Sequence, residues 1–366
     1  MQKDIKKAYN KHKKENSINT VGKDPLIKST IESGTADNSS SVKALKIDLS
    51  MHPVTYLFVL SDLHIGASGC NMPKLIRHLQ RVSQIPNAVI ILNGDALQNS
   101  TLTGASNAHF DKCNPEDQLR ILFKLIGVKE IKAKVILVAS GNHENGARSR
   151  DSGLDPLKHF STGMGYYYIH ADYNYAVTLI TRTEDMKEYP VRLAGRHGNG
   201  SASNSGGTID QAKKIANVIE DADLGLVSHF HKTAFAKETR YKTSEYGKKK
   251  LSDVNIISSS CYEEYDQFPA QMAMTPSNTD NYLIKLSVVK NPAYEQASAK
   301  DKKFMSEYSI ITEQVNIDSP VVDEIIERYK PNSKVKSADK VLQKLDELNE
   351  ALNEYAFTEE KNEENE

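Results

Sequence analysis

The chain has 366 residues, 39% of them hydrophobic, and a net charge of −1 at pH 7, which predicts one large domain or one with a small appendage. That near-neutral charge excludes a global electrostatic pull toward nucleic acid or membrane, and no apolar run approaches the roughly 20 residues of a bilayer-spanning helix. The basic start, Met1 to Lys7, lacks the apolar core of a secretory signal, and the scattered Cys70, Cys113 and Cys261 suit a reducing cytoplasm.

Residues 1–42 carry few large apolar side chains, and the run from Ser33 to Ser41 is linker chemistry, so a basic, flexible arm is expected there. From 43 onward the pattern changes. Ala44 to Leu49 alternates like a half-buried strand, and Val54 to Leu60 is continuously apolar like a central one. The second run ends in Asp62-Leu63-His64, whose i, i+2 spacing on a strand would aim a carboxylate and an imidazole at one spot. Taken alone, the pair is better read as a helix cap and a loop histidine. Met72 to Val82, with Pro73 near its start and apolar residues at 75, 76, 79 and 82, predicts an amphipathic helix. His78 falls off that stripe and receives no role. Ala88 to Leu92 is another buried strand, ending in Asn93-Gly94-Asp95.

The polar stretch 99–113, with His109, reads as a loop beside Asp95 that could line a substrate cleft. Asn114 as cap, Pro115 and the acidic Glu116 and Asp117 then start a helix carrying Leu119, Ile121, Leu122, Leu125 and Ile126. Val135 to Ala139 predicts a further strand, delivering Gly141-Asn142-His143-Glu144; alone, that tetrapeptide is as good a turn as a site. Arg148 and Arg150 follow, forks suited to a phosphate. Tyr166 to Ile169 reads as the start of a strand, and Tyr189 to Ala194 as one leading to His197-Gly198. Thr208 with Gln211 makes a capping box for the helix bearing Ile209 to Ile219. Leu224 to Val227 delivers Ser228-His229-Phe230-His231, and the stretches 282–289 and 308–312 read as closing strands, after a segment from Cys261 that could rim the cleft.

Of eleven histidines, five (His64, His143, His197, His229 and His231) lie at predicted strand ends beside Asp62, Asp95 and Asn142. Strand ends are where α/β sheets place their chemistry, and His, Asp and Asn without Cys suit Mn, Fe or Zn. Val341, Leu345, Leu348, Leu352 and Tyr355 form a short heptad-like stripe, fit for docking on the core or pairing with a partner helix, before an acidic end.

The ordered series Asp62-x-His64, Gly94-Asp95, Gly141-Asn142-His143-Glu144, His197-Gly198 and His229-x-His231 resembles the calcineurin-like metallophosphoesterase family, over roughly residues 43 to 290. The ending resembles that of phage-type phosphoesterases. The resemblance implies a four-layer αββα sandwich with two mixed sheets over 43–317, followed by a helical, acidic C-terminal extension, 318–366. It also implies a dinuclear site in which Asp62, His64 and His231 hold one divalent ion, Asn142, His197 and His229 the other, and Asp95 bridges them. His143 would face the substrate phosphate as a catalytic group. Such ions, roughly 3.5–4 Å apart, share a hydroxide and polarise the phosphoryl oxygens during in-line attack. The implied activity is phosphoester hydrolysis, nuclease-like on nucleic acid or nucleotides. Phosphomonoester hydrolysis, or a weakly catalytic binding protein of this fold, is the alternative.

Two positions depart from the family pattern. Ser228 replaces a usual glycine and is expected to be tolerated unless a positive φ is needed. Gln98 stands where many members have an Asp or His that orients the catalytic imidazole; it could hydrogen-bond His143 without stabilising its charged form.

Overall fold

The computed structural model describes residues 42–101, 111–146, 152–200, 205–219, 221–243, 249–265, 276 and 279–329. The expected N-terminal arm (up to residue 41), Arg148 and Arg150, His109, and the stripe from Val341 to Tyr355 lie outside the described residues.

In chain order the strands and main helices begin with β1 (Val42–Asp48), β2 (Val54–Leu60), α1 (Met72–Ser83), β3 (Ala88–Asn93), α2 (Pro115–Gly127), α3 (Lys129–Lys132), β4 (Val135–Ala139), α4 (Pro156–Met164) and β5 (His170–Ala171). They continue with β6 (Asn174–Arg182), β7 (Glu188–Arg196), α5 (Ser205–Val218), β8 (Leu224–Val227), β9 (Ala234–Thr243), β10 (Lys249–Ser258), β11 (Tyr282–Lys290), α6 (Pro292–Gln296), β12 (Tyr308–Asn316) and α7 (Pro320–Tyr329). Two six-stranded mixed sheets result, ordered β1-β6-β7-β8-β10-β9 and β12-β11-β2-β3-β4-β5.

Period-two alternation on β2 explains the layering. Tyr56, Phe58 and Leu60 face an outer core with Leu75, Leu79, Leu122, Ile126, Phe160 and Ile325, contributed by helices. Leu57 and Val59 face the other way, onto Val177, Leu193 and Leu226 of the opposite sheet. The outer face of that sheet is closed by Ala212, Ile215 and Ala216 of α5. The result is the expected αββα sandwich. Each fully buried Leu or Phe contributes about 1.5–3 kcal/mol relative to exposure, so a strand buried on both faces is held from two sides. Of the C-terminal extension, α7 packs Val322, Ile325 and Ile326 into the outer core.

The predicted cap of α2 is present, Asn114 Oδ1 accepting from Asp117 N–H at 3.0 Å, and α1 has an unpredicted one, Asn71 Oδ1 accepting from Lys74 N–H at 2.9 Å. Three local readings change. Tyr166 to Ile169 is not a strand start, because Tyr166 closes α4: Gly165 is left-handed (φ 79°) and Tyr166 N–H returns to Ser161 O at 2.6 Å. One 3-10 turn then precedes the two-residue β5. Thr208 does not cap α5, which starts at Ser205 and carries Thr208 buried within it. His78 is fully buried, since it lies three residues after Leu75 and four before Val82 on the same face of α1.

Candidate metal centre

The sequence-predicted groups arrive at one place from both sheets. Asp62 and His64 follow β2, Asp95 follows β3, Asn142 and His143 follow β4, His197 follows β7, and His229 and His231 follow β8. The extended i, i+2 reasoning for Asp62 and His64 does not hold locally. Both are left-handed (φ 50° and 47°), as are Asp95, His229 and His231 (φ 48°, 76° and 52°). Left-handed backbone at five non-glycine site residues costs of order 1 kcal/mol or more each and is sustained by the surrounding bonds.

Among the described residues four groups of possible metal-holding side chains form: Asp62 with His64 and His231, and Asp95 with His197 and His229, are joined by His64 with Asp95 and His143, while Asp155 with His170 and Asp172 shares no residue with them. In the first, His64 Nε2 and His231 Nε2 are 3.1 Å apart and His231 Nε2 is 3.3 Å from Asp62 Oδ1. In the second, His197 Nε2 is 2.9 Å and His229 Nδ1 3.9 Å from Asp95 Oδ2. His197 Nε2 also lies 3.9 Å from Asp62 Oδ1, so the groups adjoin. His143 Nε2 approaches Asp95 Oδ2 at 3.9 Å, and its ring is edge-on to His64 at 4.5 Å.

Asp62, Asp95, His197 and His229 each use one atom for the scaffold and aim another at the centre. Asp95 Oδ1 accepts from His143 N–H at 2.9 Å, which turns Oδ2 inward. Asp62 Oδ2 accepts from the Ser61 hydroxyl and from His229 N–H, leaving Oδ1 inward. His197 Nδ1–H donates to Asn93 O at 2.7 Å and His229 Nε2–H to Gly200 O at 2.7 Å; a carbonyl only accepts, so the lone pairs of the opposite nitrogens face inward.

Asp62 Oδ1, Asn142 Oδ1 and His197 Nε2 are buried without a well-formed hydrogen bond among the described residues; the first faces His231 Nε2 at 3.3 Å and the last Asp95 Oδ2 at 2.9 Å. An unpaired buried acceptor costs about 1–3 kcal/mol, a cost that cations held by the two groups would remove. Nitrogens about 2.1 Å from a shared ion stand about 3.0 Å apart at a right angle and about 3.4 Å at the tetrahedral angle, a range that includes the 3.1 Å His64–His231 separation. The donors therefore fit divalent metal.

Charge points the same way. Burial alone would raise the Asp62 carboxyl, but the His197 and His231 charges outweigh it and bring it down to about 2. Asp95 is held well below the usual carboxylate range, burial being outweighed by His197 and His143. Burial opposes a charged His197, yet Asp95 and Asp62 lift it to about 9. The two carboxylates thus demand positive charge, which protons on imidazoles or metal ions can supply.

Gln98 behaves differently from the sequence expectation. Its side chain meets His64 Nδ1 at 2.9 Å, and its backbone carbonyl accepts from His143 Nδ1–H at 2.8 Å. His143 thereby presents Nε2 to the centre. Ser228 does not have a positive φ and is a buried hydroxyl bonded to Asn93 Nδ2 and Ser259 Oγ.

Supporting residues escaped the sequence reading. Glu144 is fully buried and accepts from the N–H groups of Asp95 (2.9 Å), Leu97 (3.0 Å) and Gly141 (2.9 Å). Burial, then the Asp95 charge, push its carboxyl up to about 8. Asn93 joins the sheets: Nδ2 donates to Arg196 O at 3.1 Å and Oδ1 accepts from Tyr175 OH at 3.0 Å. Gly141 does not have a positive φ, but a Cβ there would fall 2.1 Å from Asp95 Oδ1. No described helix is long and apolar enough to cross a membrane.

No protein-family model matches the chain, and no curated protein matches its sequence. Among solved structures it is similar to the calcineurin-like phosphoesterase YfkN from Bacillus subtilis, at 12% identity over 79% of this chain and 98% of that one, with a TM-score of 0.35. It is also similar to Vps29 from Chaetomium thermophilum, at 9% identity over 73% of this chain and 100% of that one, with a TM-score of 0.30.

Proposed function

We propose that the chain is a metal-dependent phosphoester hydrolase of the calcineurin-like metallophosphoesterase type. The observation that carries this is the convergence of two ligand groups on adjoining buried carboxylates, Asp62 and Asp95, with His197 Nε2 within 3.9 Å of both. Asp62, His64 and His231 would hold one divalent ion, Asn142, His197 and His229 the other, and Asp95 both. When bound, such a pair polarises phosphoryl oxygens and lowers the pKa of water. Two carboxylates against two divalent cations leave a net positive centre that attracts an anionic phosphate, and the neutral amide of Asn142 completes a shell without reducing that attraction. An oxygen and nitrogen donor set without sulfur suits manganese, with iron or zinc as the other candidates.

His143 is the catalytic group in this reading. Its Nδ1–H is tied to Gln98 O, so Nε2 is directed at the centre and can hydrogen-bond the phosphoryl group or protonate the leaving oxygen. A carbonyl partner orients the ring without adding a negative charge. Asp95 Oδ2 lies 3.9 Å from Nε2. Arg148 and Arg150 follow the Asn142–His143 loop in sequence and are proposed as phosphate clamps. Phosphodiesters of nucleic acid or nucleotides are the proposed substrates, on the strength of the motif resemblance. Cys70, Cys113 and Cys261 form no disulfide among the described residues, which suits the proposed reducing compartment such as the cytoplasm.

The test is hydrolysis of bis-(p-nitrophenyl) phosphate and p-nitrophenyl phosphate with Mn, Fe or Zn. Diester turnover is expected. His143→Ala should keep its metal and lose about 10²–10⁴-fold in turnover, whereas Asp95→Asn should lose metal. Monoester turnover alone would move the reading to a phosphatase. Metal binding without turnover on either ester would move it to a binding protein, and a His143→Ala variant emptied of metal would overturn the role of His143.

A further inference from the structure

Each of the four ligand imidazoles turns a second nitrogen away from the centre. For His64, His197 and His229 that nitrogen meets a neutral acceptor: Gln98 Oε1, Asn93 O and Gly200 O. His231 differs. Its Nδ1 stands 3.6 Å from Oε2 of Glu263, an ion-pair distance longer than a hydrogen bond. The same oxygen lies 3.9 Å from His64 Nε2, and Glu263 is only 7% exposed.

The segment carrying Glu263 is fastened to the site. Tyr262 N–H donates to the carbonyl of Asp62 at 2.9 Å, Asn71 N–H to Tyr262 O at 2.9 Å, and Glu264 N–H to Gly69 O at 2.8 Å. Glu263 forms a backbone bridge with Cys70. The Tyr262 hydroxyl is 2.8 Å from His78 Nδ1, whose Nε2 is 3.0 Å from Asp318. A buried carboxylate close to a ligand histidine helps to orient the ring and strengthens it as a donor. Its charge also acts on the nearby pocket through a medium less polar than water.

We propose that Glu263 is a positioning residue for His231, making the pocket of Asp62, His64 and His231 the tighter of the two metal pockets. The inference rests on the dinuclear reading above. The other pocket, of Asn142, His197 and His229, has only neutral groups behind its imidazoles.

The experiment compares metal-stripped wild type, Glu263→Gln and Glu263→Asp by equilibrium dialysis against Mn with elemental analysis, alongside melting of the stripped proteins. Wild type should bind two equivalents with separable affinities. Glu263→Gln should weaken the tighter equivalent by about 10- to 100-fold, leave the weaker one within about threefold and melt like wild type without metal. Glu263→Asp, which keeps the charge, should recover most of the loss. Cys261→Ser is a control, since its thiol also adjoins His231. Retention of both affinities by Glu263→Gln, equal weakening of both, or a loss seen only in Cys261→Ser would overturn the proposal. Wild type that binds no metal would instead remove the dinuclear reading itself, and this inference with it.

Discussion

Gly141→Ala is a one-methyl test of the centre. A Cβ at Gly141 would lie 2.1 Å from Asp95 Oδ1, 2.4 Å from Asp95 N and 2.9 Å from Asp95 Cγ. Contacts under 3.0 Å are essentially never found, so Asp95 Oδ1 must retreat by about 0.9 Å. Rotating the carboxylate does not relieve the clash with the backbone nitrogen. Metal ligands tolerate about 0.2 Å, and Asp95 Oδ1 also fixes His143 N–H, so ligand and catalytic loop shift together. Overpacking of this kind costs about 1–3 kcal/mol of stability, and a displacement near 1 Å costs about 10²-fold in rate. Urea unfolding of the metal-stripped protein, elemental analysis and diester hydrolysis should show all three losses. Gly127→Ala is the control: nothing lies within 4 Å of that Cβ, and stability should hold or rise by up to about 1 kcal/mol. A Gly141→Ala protein that keeps two metals and turns over within about threefold of wild type would refute the crowding argument.

Two further predictions concern stability. Glu144→Ala strands the buried N–H groups of Asp95, Leu97 and Gly141 and should cost about 3 kcal/mol or more in urea unfolding without metal; a loss below about 1 kcal/mol would show that these donors find other partners. His78 is held down to about 4 from 6.5, chiefly by burial, with Asp318 pulling the other way. The unfolded chain then binds the extra proton first, so this contribution is complete above pH 6.5 and is lost as pH falls toward 4, about 3 kcal/mol in all. His78→Gln should show a shallower fall in stability over that window, and identical slopes would refute the assignment.

The strand-end reading found the ligand candidates because apolar runs ending in Asp, Asn or His are a one-dimensional signal. It could not find their supports. Glu144 is one more acid in a polar segment, and its burial depends on three amides that only the folded loop brings together. His78 was readable from its spacing to Leu75 and Val82, but its polarity masked it. Helix α4 had Asp155, Pro156 and Gly165 as start and stop signals, and the adjacent tyrosine run drew attention away from them. Gln98 shows the other limit: which of its atoms serves His143 and which serves His64 is a matter of backbone path, and residue type does not encode it.

Each pocket draws on both sheets, and this constrains the order of assembly. Asp62 and His64 are translated long before His231, and Asn142 before His197 and His229, so a growing chain has no complete pocket until both sheets have docked. β2, which leads into Asp62, must also wait: its neighbour β11 is made more than 200 residues later, at Tyr282–Lys290. Until then one edge of β2 offers unpaired amides and carbonyls, the feature that invites mispairing between chains. Premature metal capture and premature edge pairing are therefore separate hazards with separate end points: the first ends when His231 docks, the second only when β11 does.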